Sequence, residues 1–370
     1  MEIRPVNTKR DFNRFVKLPS KLNQENKNWL PPIYVDDKQR LKSFIGGDMD
    51  DFDSVLALAW DNGKVVGRIA GIINHRHNRR YNLKTARFGF WECINDPSAS
   101  DALFTFVENW AIEHGQQKIV GPMGFSDQDP EGLLIEGFNY LPSLATYTNS
   151  PYMVSLVDRA GYKKEIDYLS YKVNLRPEIK ERYINIQKRL LSGDRFQLME
   201  FESRKELKDY VHPILRVMNE TFEPLYGYVP LSDEEMTELA ERYLPIIDPR
   251  FVKAVKQGDE VVAFMIAMPN IAQGIRRAEG RLLPFGWFHI WRDSKNSKQL
   301  DLMLGGIKED VRGVGLDTIL GISMLISAEK AEFELIDSHL ILETNRLMRA
   351  EMERWGGNVY KRHRIYKKKL

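Results

Sequence analysis

The residues best suited to chemistry lie in the run GGIKEDVRGVGLD from Gly305 to Asp317, where an apolar strand-like segment gives way to an apolar helix-like one. Glycines let the backbone turn tightly and remove side chains, so that successive amide N–H groups face an anion. The helix that follows adds unpaired N-terminal amides and a favourable dipole, and Arg312 adds a charge-assisted donor. Ile307, Arg312, Gly313, Val314, Gly315 and Leu316 therefore form a candidate pyrophosphate cradle. The run lacks the Gly-Lys-Ser/Thr ending of a nucleotide-hydrolysing P-loop, and its glycines do not spell the GxGxxG of a dinucleotide fold. Close packing of a strand on a helix also selects glycine, so the motif alone leaves a purely structural reading open.

Other reactive side chains carry two readings each. His289 in PFGWFHIW and His339 after an apolar run suit either catalysis or packing. His75 and His77 lie among Arg76, Arg79 and Arg80, a spacing that does not suit a metal and fits an anionic ligand or a solvated hairpin edge. Cys93 follows Trp91 and Glu92, with no neighbouring histidine to make it a nucleophile. Asp127, Asp129 and Glu131 in SDQDPEG do not follow the calcium-loop pattern and read as an ordered polar loop or part of a cleft. PLYGYVP at 224–230 and PFGWFHIW are aromatic enough to line a deep apolar cleft, or to fill a core. KRHRIYKKK at 361–369 is basic, yet with Val359, Ile365 and Tyr366 it also reads as an edge strand.

Elements must hold these residues in place. SVLALAWD at 54–61 and KVVGRIAGII at 64–73 flank Asp61-Asn62-Gly63, a hairpin signal because Asn-Gly tolerates positive φ. Further strands are expected at 1–6, 85–94, 118–123 and 168–175, with helices near 7–19, 101–114 and 150–159. The second half predicts a strand at 195–201, a helix at 206–222, a hairpin of 251–257 and 261–268, and a strand at 300–309. A helix at 316–328, a strand at 331–338, a helix at 345–355 and a strand at 359–368 follow. The same element order thus runs twice without a sequence repeat. Pro177, the charged run EIKERYINIQKRLL and Ser192-Gly193-Asp194 read as a connection, giving domains at 1–175 and 195–370 joined by a linker at 176–194.

On these residues the second half resembles the GCN5-related N-acetyltransferase superfamily, whose loop reads Gln/Arg-x-x-Gly-x-Gly/Ala between its fourth strand and third helix. Arg312 and Gly315 match, and Asp317 replaces the last small residue. Asn345 fits the family's asparagine after the fifth strand and Gly356 the glycine ending the next helix, while Met352 stands where a tyrosine acid is usual. A thioether cannot donate a proton. Asn149, Tyr152 and Gly161-Tyr162 make the first half resemble a degenerate copy, in which Cys93–Ser100 replaces the glycine loop. The whole chain, including GPMGFSDQDPEGLLIEGF at 121–138, resembles bacterial tandem acetyltransferase-like proteins.

The resemblance implies an α/β, mixed α+β fold of two tandem acyl-CoA N-acyltransferase-like domains, each a mixed central sheet flanked by helices. It implies acetyl-CoA or another acyl-CoA as donor, and an amine acceptor, small molecule or peptide. The first domain would be structural or would help form the acceptor site. Glu343 is then a candidate base, direct or through water, and Asn345 a second catalytic candidate. Two alternatives stand beside this reading: a noncatalytic ligand-binding protein that kept the fold, and a transferase drawing on acyl carrier protein or aminoacyl-tRNA.

Composition narrows the field. With 54 Lys and Arg against 52 Asp and Glu in 370 residues, the formal charge of +2 argues against a dedicated nucleic-acid partner. Apolar runs such as VVAFMIAM at 261–268 fall far short of the roughly 20 residues that cross a bilayer. No membrane partner is therefore expected. The single cysteine and the absence of a signal-like N-terminus favour the cytoplasm. No metal is expected, and a homodimer is left open.

Overall fold

The computed structural model describes residues 1–44, 51–126, 129–143, 146, 148–175 and 177–370. Its strands are β1 (Glu2–Pro5), β2 (Phe52–Asp61), β3 (Lys64–Asn74), β4 (Thr85–Cys93), β5 (Lys118–Gly121), β6 (Leu133–Glu136) and β7 (Lys163–Asn174). They continue as β8 (Gln197–Glu200), β9 (Val252–Gln257), β10 (Glu260–Pro269), β11 (Gln299–Ile307), β12 (Leu335–Leu342) and β13 (Asn358–Lys369). Contacts divide the chain into two compact units that do not follow sequence order. One is Met1–Leu169 with Ile271–Ser294 and Tyr360–Leu370; the other is Ser170–Asn270 with Lys295–Val359. The sequence reading drew contiguous halves, whereas here two later segments group with the first.

In the first unit β1 to β4 pair antiparallel in chain order. The β2–β3 turn is the expected Asn-Gly hairpin, with Asn62 at φ 46° and Gly63 at φ 75°. β4 then pairs parallel with β5, and β5 antiparallel with β13. The helix Pro97–Glu113 covers one face, burying Leu103, Phe104 and Val107 against Phe88, Trp91 and Tyr162. The helix Lys9–Leu22 covers another cluster with Phe15 and Val16. Buried aromatic side chains of this size each contribute on the order of 2–3 kcal/mol.

In the second unit β8, β9, β10 and β11 pair antiparallel in succession, and β11 pairs parallel with β12. Alternation along the strands sorts the core. Val252, Ala254 and Phe264 join the cluster of the helix Arg204–Phe222, while Val255 and Ala263 join Leu316, Ile319 and Leu320 of the helix Leu316–Lys330. Lys253 shares the latter face and is buried, its Nζ donating to Ser327 Oγ at 2.8 Å and pairing with Glu200 at 2.5 Å. The helix Pro177–Leu191 packs on the same side, where Gln187 Nε2 donates to Ser323 Oγ at 2.7 Å and to Ile319 O at 3.1 Å.

Two elements depart from the sequence expectation in ways that matter below. β12 begins at Leu335, not 331, because Ala331–Phe333 fold back onto Ala328 and close the preceding helix, with Glu332 at φ 59°. His339 therefore lies inside the strand. PFGWFHIW is not cleft lining: the helix Gly286–Asn296, of which Gly286–Ser294 belongs to the first unit's later segment, leaves its large rings exposed.

Candidate functional site

A cleft of about 760 Å3 opens in the second unit, and the parting of two parallel strands creates it. β11 and β12 pair only from Gln299–Leu302 to Leu335–Ser338, although β11 runs on to Ile307 and β12 to Leu342. Both strands are bent just beyond the last pair. The register of β10 jumps from Leu304 to Leu302, leaving Met303 as the extra residue of a bulge. On β12, Leu340 takes the left-handed φ of 56°, which a leucine adopts only where its surroundings enforce it.

The walls are mostly apolar. Leu302 and Ile336 come from the strands, Leu320, Met324 and Leu325 from the helix Leu316–Lys330, and Met348, Met352 and Trp355 from the helix Arg346–Arg354 and its end. Leu225 and Tyr226, from the aromatic segment singled out in the sequence, also line it. Gly321 allows the two helices to approach, since a Cβ there would lie 2.5 Å from the Trp355 ring.

The glycine loop stands beside the cleft. Ile307, Arg312 and Gly313 line it. Arg312 Nε donates to Ile307 O at 3.1 Å, so the guanidinium folds back on the strand end. Val314, Gly315 and Leu316 build the turn without lining the cleft; the Leu316 side chain is buried in the core, so only its amide is on offer. Gly313 and Gly315 have φ of 76° and 97°, and Gly315 is the helix N-cap with no side chain satisfying the first amides.

Asn345 lines the cleft while its Oδ1 accepts from Met348 N at 3.1 Å and caps the helix Arg346–Arg354. Glu343 is half-buried outside those walls; its carbonyl accepts from Arg349 at 2.9 Å, which fixes the strand-to-helix crossing. Asp317, the departure from the family loop, is ion-paired with Arg354 at 3.3 Å. Arg354 also meets Glu351 at 2.6 Å, and Trp355 Nε1 donates to the same carboxylate. Burial, and then the neighbouring Asp317, raise the Glu351 carboxyl above its usual range. Sequence reasoning missed Glu351, although it lies one helical turn after Leu347, another cleft residue.

A second polar group lies in the sheet itself. Asp301 is fully buried; Gln299 Nε2 donates to it at 2.8 Å and to Asp337 at 3.2 Å, Asn270 Nδ2 donates to it at 2.8 Å, and His339 Nδ1 is 3.7 Å from Asp337. Burial first, then Asp337, push the Asp301 carboxyl from 3.8 up to about 7. The folded chain thus holds a proton that the unfolded chain has lost, so this group's stabilisation is present at low pH and fades as pH rises between about 4 and about 7. Asp301→Asn is expected to flatten that slope by a few kcal/mol, at the cost of one accepted hydrogen bond at all pH values. Chemical denaturation at about pH 4, 6 and 8, at the lower edge of the window, within it and beyond it, checks it.

Among the described residues of the first unit, the corresponding helix start is closed. The helix Pro97–Glu113 has Asp96 as N-cap, whose carboxylate accepts from Ser98 N at 2.9 Å and sets a negative charge where an anion would dock. β4 and β5 pair only from Thr85–Arg87 to Lys118–Val120, and the chain fills the gap beyond: Met123 N donates to Phe88 O at 2.9 Å, and Asp129 accepts from Phe125 N at 2.8 Å. A pocket of about 120 Å3 remains, holding the buried Arg68–Glu92 pair at 3.0 Å. Asp127 lies outside the described residues. Asn149 pairs both polar atoms with Leu134, at 2.7 and 3.2 Å, and the Tyr152 hydroxyl donates to Cys93 O at 2.6 Å. Burial pushes the Cys93 thiol up to about 12, which removes it as a nucleophile at neutral pH. His75 meets Asp53 at 2.9 Å; His77, on the short helix His75–Tyr81 rather than a hairpin edge, is lowered to about 4 chiefly by burial. Among the described residues no three metal-ligating side chains converge, and no helix is long and apolar enough to cross a membrane.

No family model matches the chain. It is 26% identical to protein YghO of Escherichia coli over 100% of its own length and 95% of that protein, and 27% identical to a bacterial ceramide synthase of Caulobacter vibrioides over 100% and 98%. Among solved structures, a tandem acetyltransferase-fold protein from the clavulanic acid biosynthesis pathway superposes with a TM-score of 0.57 at 13% identity, covering 100% of this chain and 98% of that one. The chain has the fold of the GCN5-related N-acetyltransferase superfamily, in its tandem-domain architecture.

Proposed function

We infer that the chain is an N-acyltransferase that moves a long fatty acyl group from a thioester to the amine of a long-chain amino alcohol, making a ceramide-type amide. The observation that carries this reading is the apolar cleft of about 760 Å3 beside the glycine loop, far more hydrocarbon surface than an acetyl group uses. The full-length likeness to a ceramide synthase supports the choice of acyl group and acceptor.

In this reading acyl-CoA places its pyrophosphate on the amides of Gly313–Leu316 with Arg312, and its thioester where β11 and β12 part. The Arg354 pair offsets the charge of Asp317, which would otherwise repel a phosphate. The acceptor nitrogen attacks the carbonyl carbon, a C–N bond forms, the C–S bond breaks, and the sulfur leaves as thiolate. Glu343, directly or through a water, takes the ammonium proton, with Asn345 orienting the acceptor. Met352 has no proton to give the thiolate, which takes one from solvent; in exchange the thioether extends the apolar wall. The first unit, its helix N-terminus capped and its gap filled, serves the acceptor side or the framework.

Purified chain incubated with hexadecanoyl-CoA and sphinganine is expected to release free thiol and form N-acylsphinganine, read by mass spectrometry. Binding of the thioester without amide would favour a noncatalytic role. Amide formed only from an acyl carrier protein thioester would move the donor to a protein-bound acyl group.

A further inference from the structure

Leu283, Phe285, Trp287, Phe288 and Trp291 are 78, 71, 56, 42 and 53% exposed, a concentration of large apolar side chains that solvent does not favour. They fall at the start of the helix Gly286–Asn296 and in the turn before it, with Trp287, Phe288 and Trp291 on one face. Ring centroids lie 6.1 Å apart for Trp287–Phe288 and 5.9 Å for Phe288–Trp291, so the rings form one surface.

The support beneath them is closely packed. A Cβ on Gly274 would lie 2.8 Å from the Ile290 Cα, so the helix Ala272–Arg277 crosses at backbone contact. Asp293 accepts from Gly274 N at 2.6 Å and pairs with Arg277 at 3.1 Å. Tyr34 N donates to Gly280 O at 3.0 Å, tying the loop to the rest of its unit. The aromatic projection is thus packed and hydrogen-bonded to its own unit from below.

Charge selects its occupant. Between Arg276 and Ser294 there are four basic residues and two acidic ones, in a chain whose total is nearly neutral. Arg281, 4.0 Å from Glu279 on the open surface, and Arg292, both exposed, flank the aromatic stretch in sequence. Indole rings suit the boundary between headgroups and hydrocarbon, and arginines beside them suit anionic phosphates.

We propose that the projection Arg281–Arg292 docks the protein on the surface of an anionic phospholipid bilayer, its aromatic rings entering the headgroup region. The expectation of no membrane partner rested on the lack of a spanning segment, which does not test surface docking. The proposal stands apart from the acyl-transfer reading, because it is read by binding alone.

Flotation with vesicles of phosphatidylglycerol and phosphatidylcholine in equal parts, without substrate, tests it. The wild-type chain is expected to float, to float less with pure phosphatidylcholine, and to release in high salt. The Trp287→Ala, Phe288→Ala, Trp291→Ala triple variant is expected to bind about a hundredfold more weakly, each buried ring being worth on the order of tenfold or less. Arg281→Glu with Arg292→Glu is expected to lose the preference for phosphatidylglycerol. All these side chains are exposed, and an unchanged melting temperature verifies the fold of each variant. No flotation of the wild type, or equal flotation of the triple variant, overturns the proposal. So does a dimer in analytical ultracentrifugation that the triple variant abolishes while vesicles go unbound, which would assign the face to a second copy.

Discussion

Met324→Trp is expected to lower kcat/KM for hexadecanoyl-CoA by about fiftyfold while leaving acetyl-CoA nearly unaffected. Met324 is buried on the helix Leu316–Lys330 and lines the cleft, so a larger indole extends into the space rather than into solvent. Excluding about three methylenes at about 0.8 kcal/mol each removes about 2.4 kcal/mol of binding, which is about fiftyfold. An acetyl group has no methylenes to lose there, whereas both donors share the same CoA. The ratio of the two kcat/KM values therefore isolates the acyl tail from the cradle. Equal losses with both donors would mean that the indole distorts the helix, and a fall in melting temperature would show it. No loss with either would place the acyl chain elsewhere.

The glycine loop was legible because it is local: every residue that shapes it lies within one turn, and the φ of Gly313 and Gly315 follow from what only glycine readily does. The hairpins were legible for the same reason, with Asn62-Gly63 as the clearest case. The cleft was not. It depends on a bulge at Met303 and a left-handed Leu340, and neither residue type announces such a conformation. Those deviations are imposed by packing on both sides of the parting strands, which no window of sequence contains. The Asp317–Arg354 pair was hidden similarly, its partners being 37 residues apart. Asp317 looked like a defect in the loop because its counter-ion comes from another helix. The aromatic run PFGWFHIW shows the opposite limit: hydrophobicity was visible, but not whether it faced a core or solvent.

Gly315→Ala tests the cradle where its geometry is most exacting. At φ 97° an alanine is strained, and a Cβ there would lie 2.5 Å from Leu190 Cδ1. Strain and overlap together are expected to cost about 2–4 kcal/mol of stability, read by denaturant unfolding. Relaxation turns the residue toward negative φ, which swings the amides of Gly315 and Leu316 out of line. Affinity for CoA, measured by calorimetry, is then expected to fall by about a hundredfold as two or so charge-assisted hydrogen bonds are lost. Adding Leu190→Ala separates the two causes. Measured against Leu190→Ala alone, which itself gives up apolar contact with the core, it removes the overlap and so shrinks the stability cost of Gly315→Ala, but it leaves φ strained and CoA binding weak. Full recovery of CoA binding in the double variant would mean that the overlap, not the glycine conformation, shapes the loop. Unchanged CoA affinity in Gly315→Ala alone would move the pyrophosphate away from Gly313–Leu316, and the donor site with it.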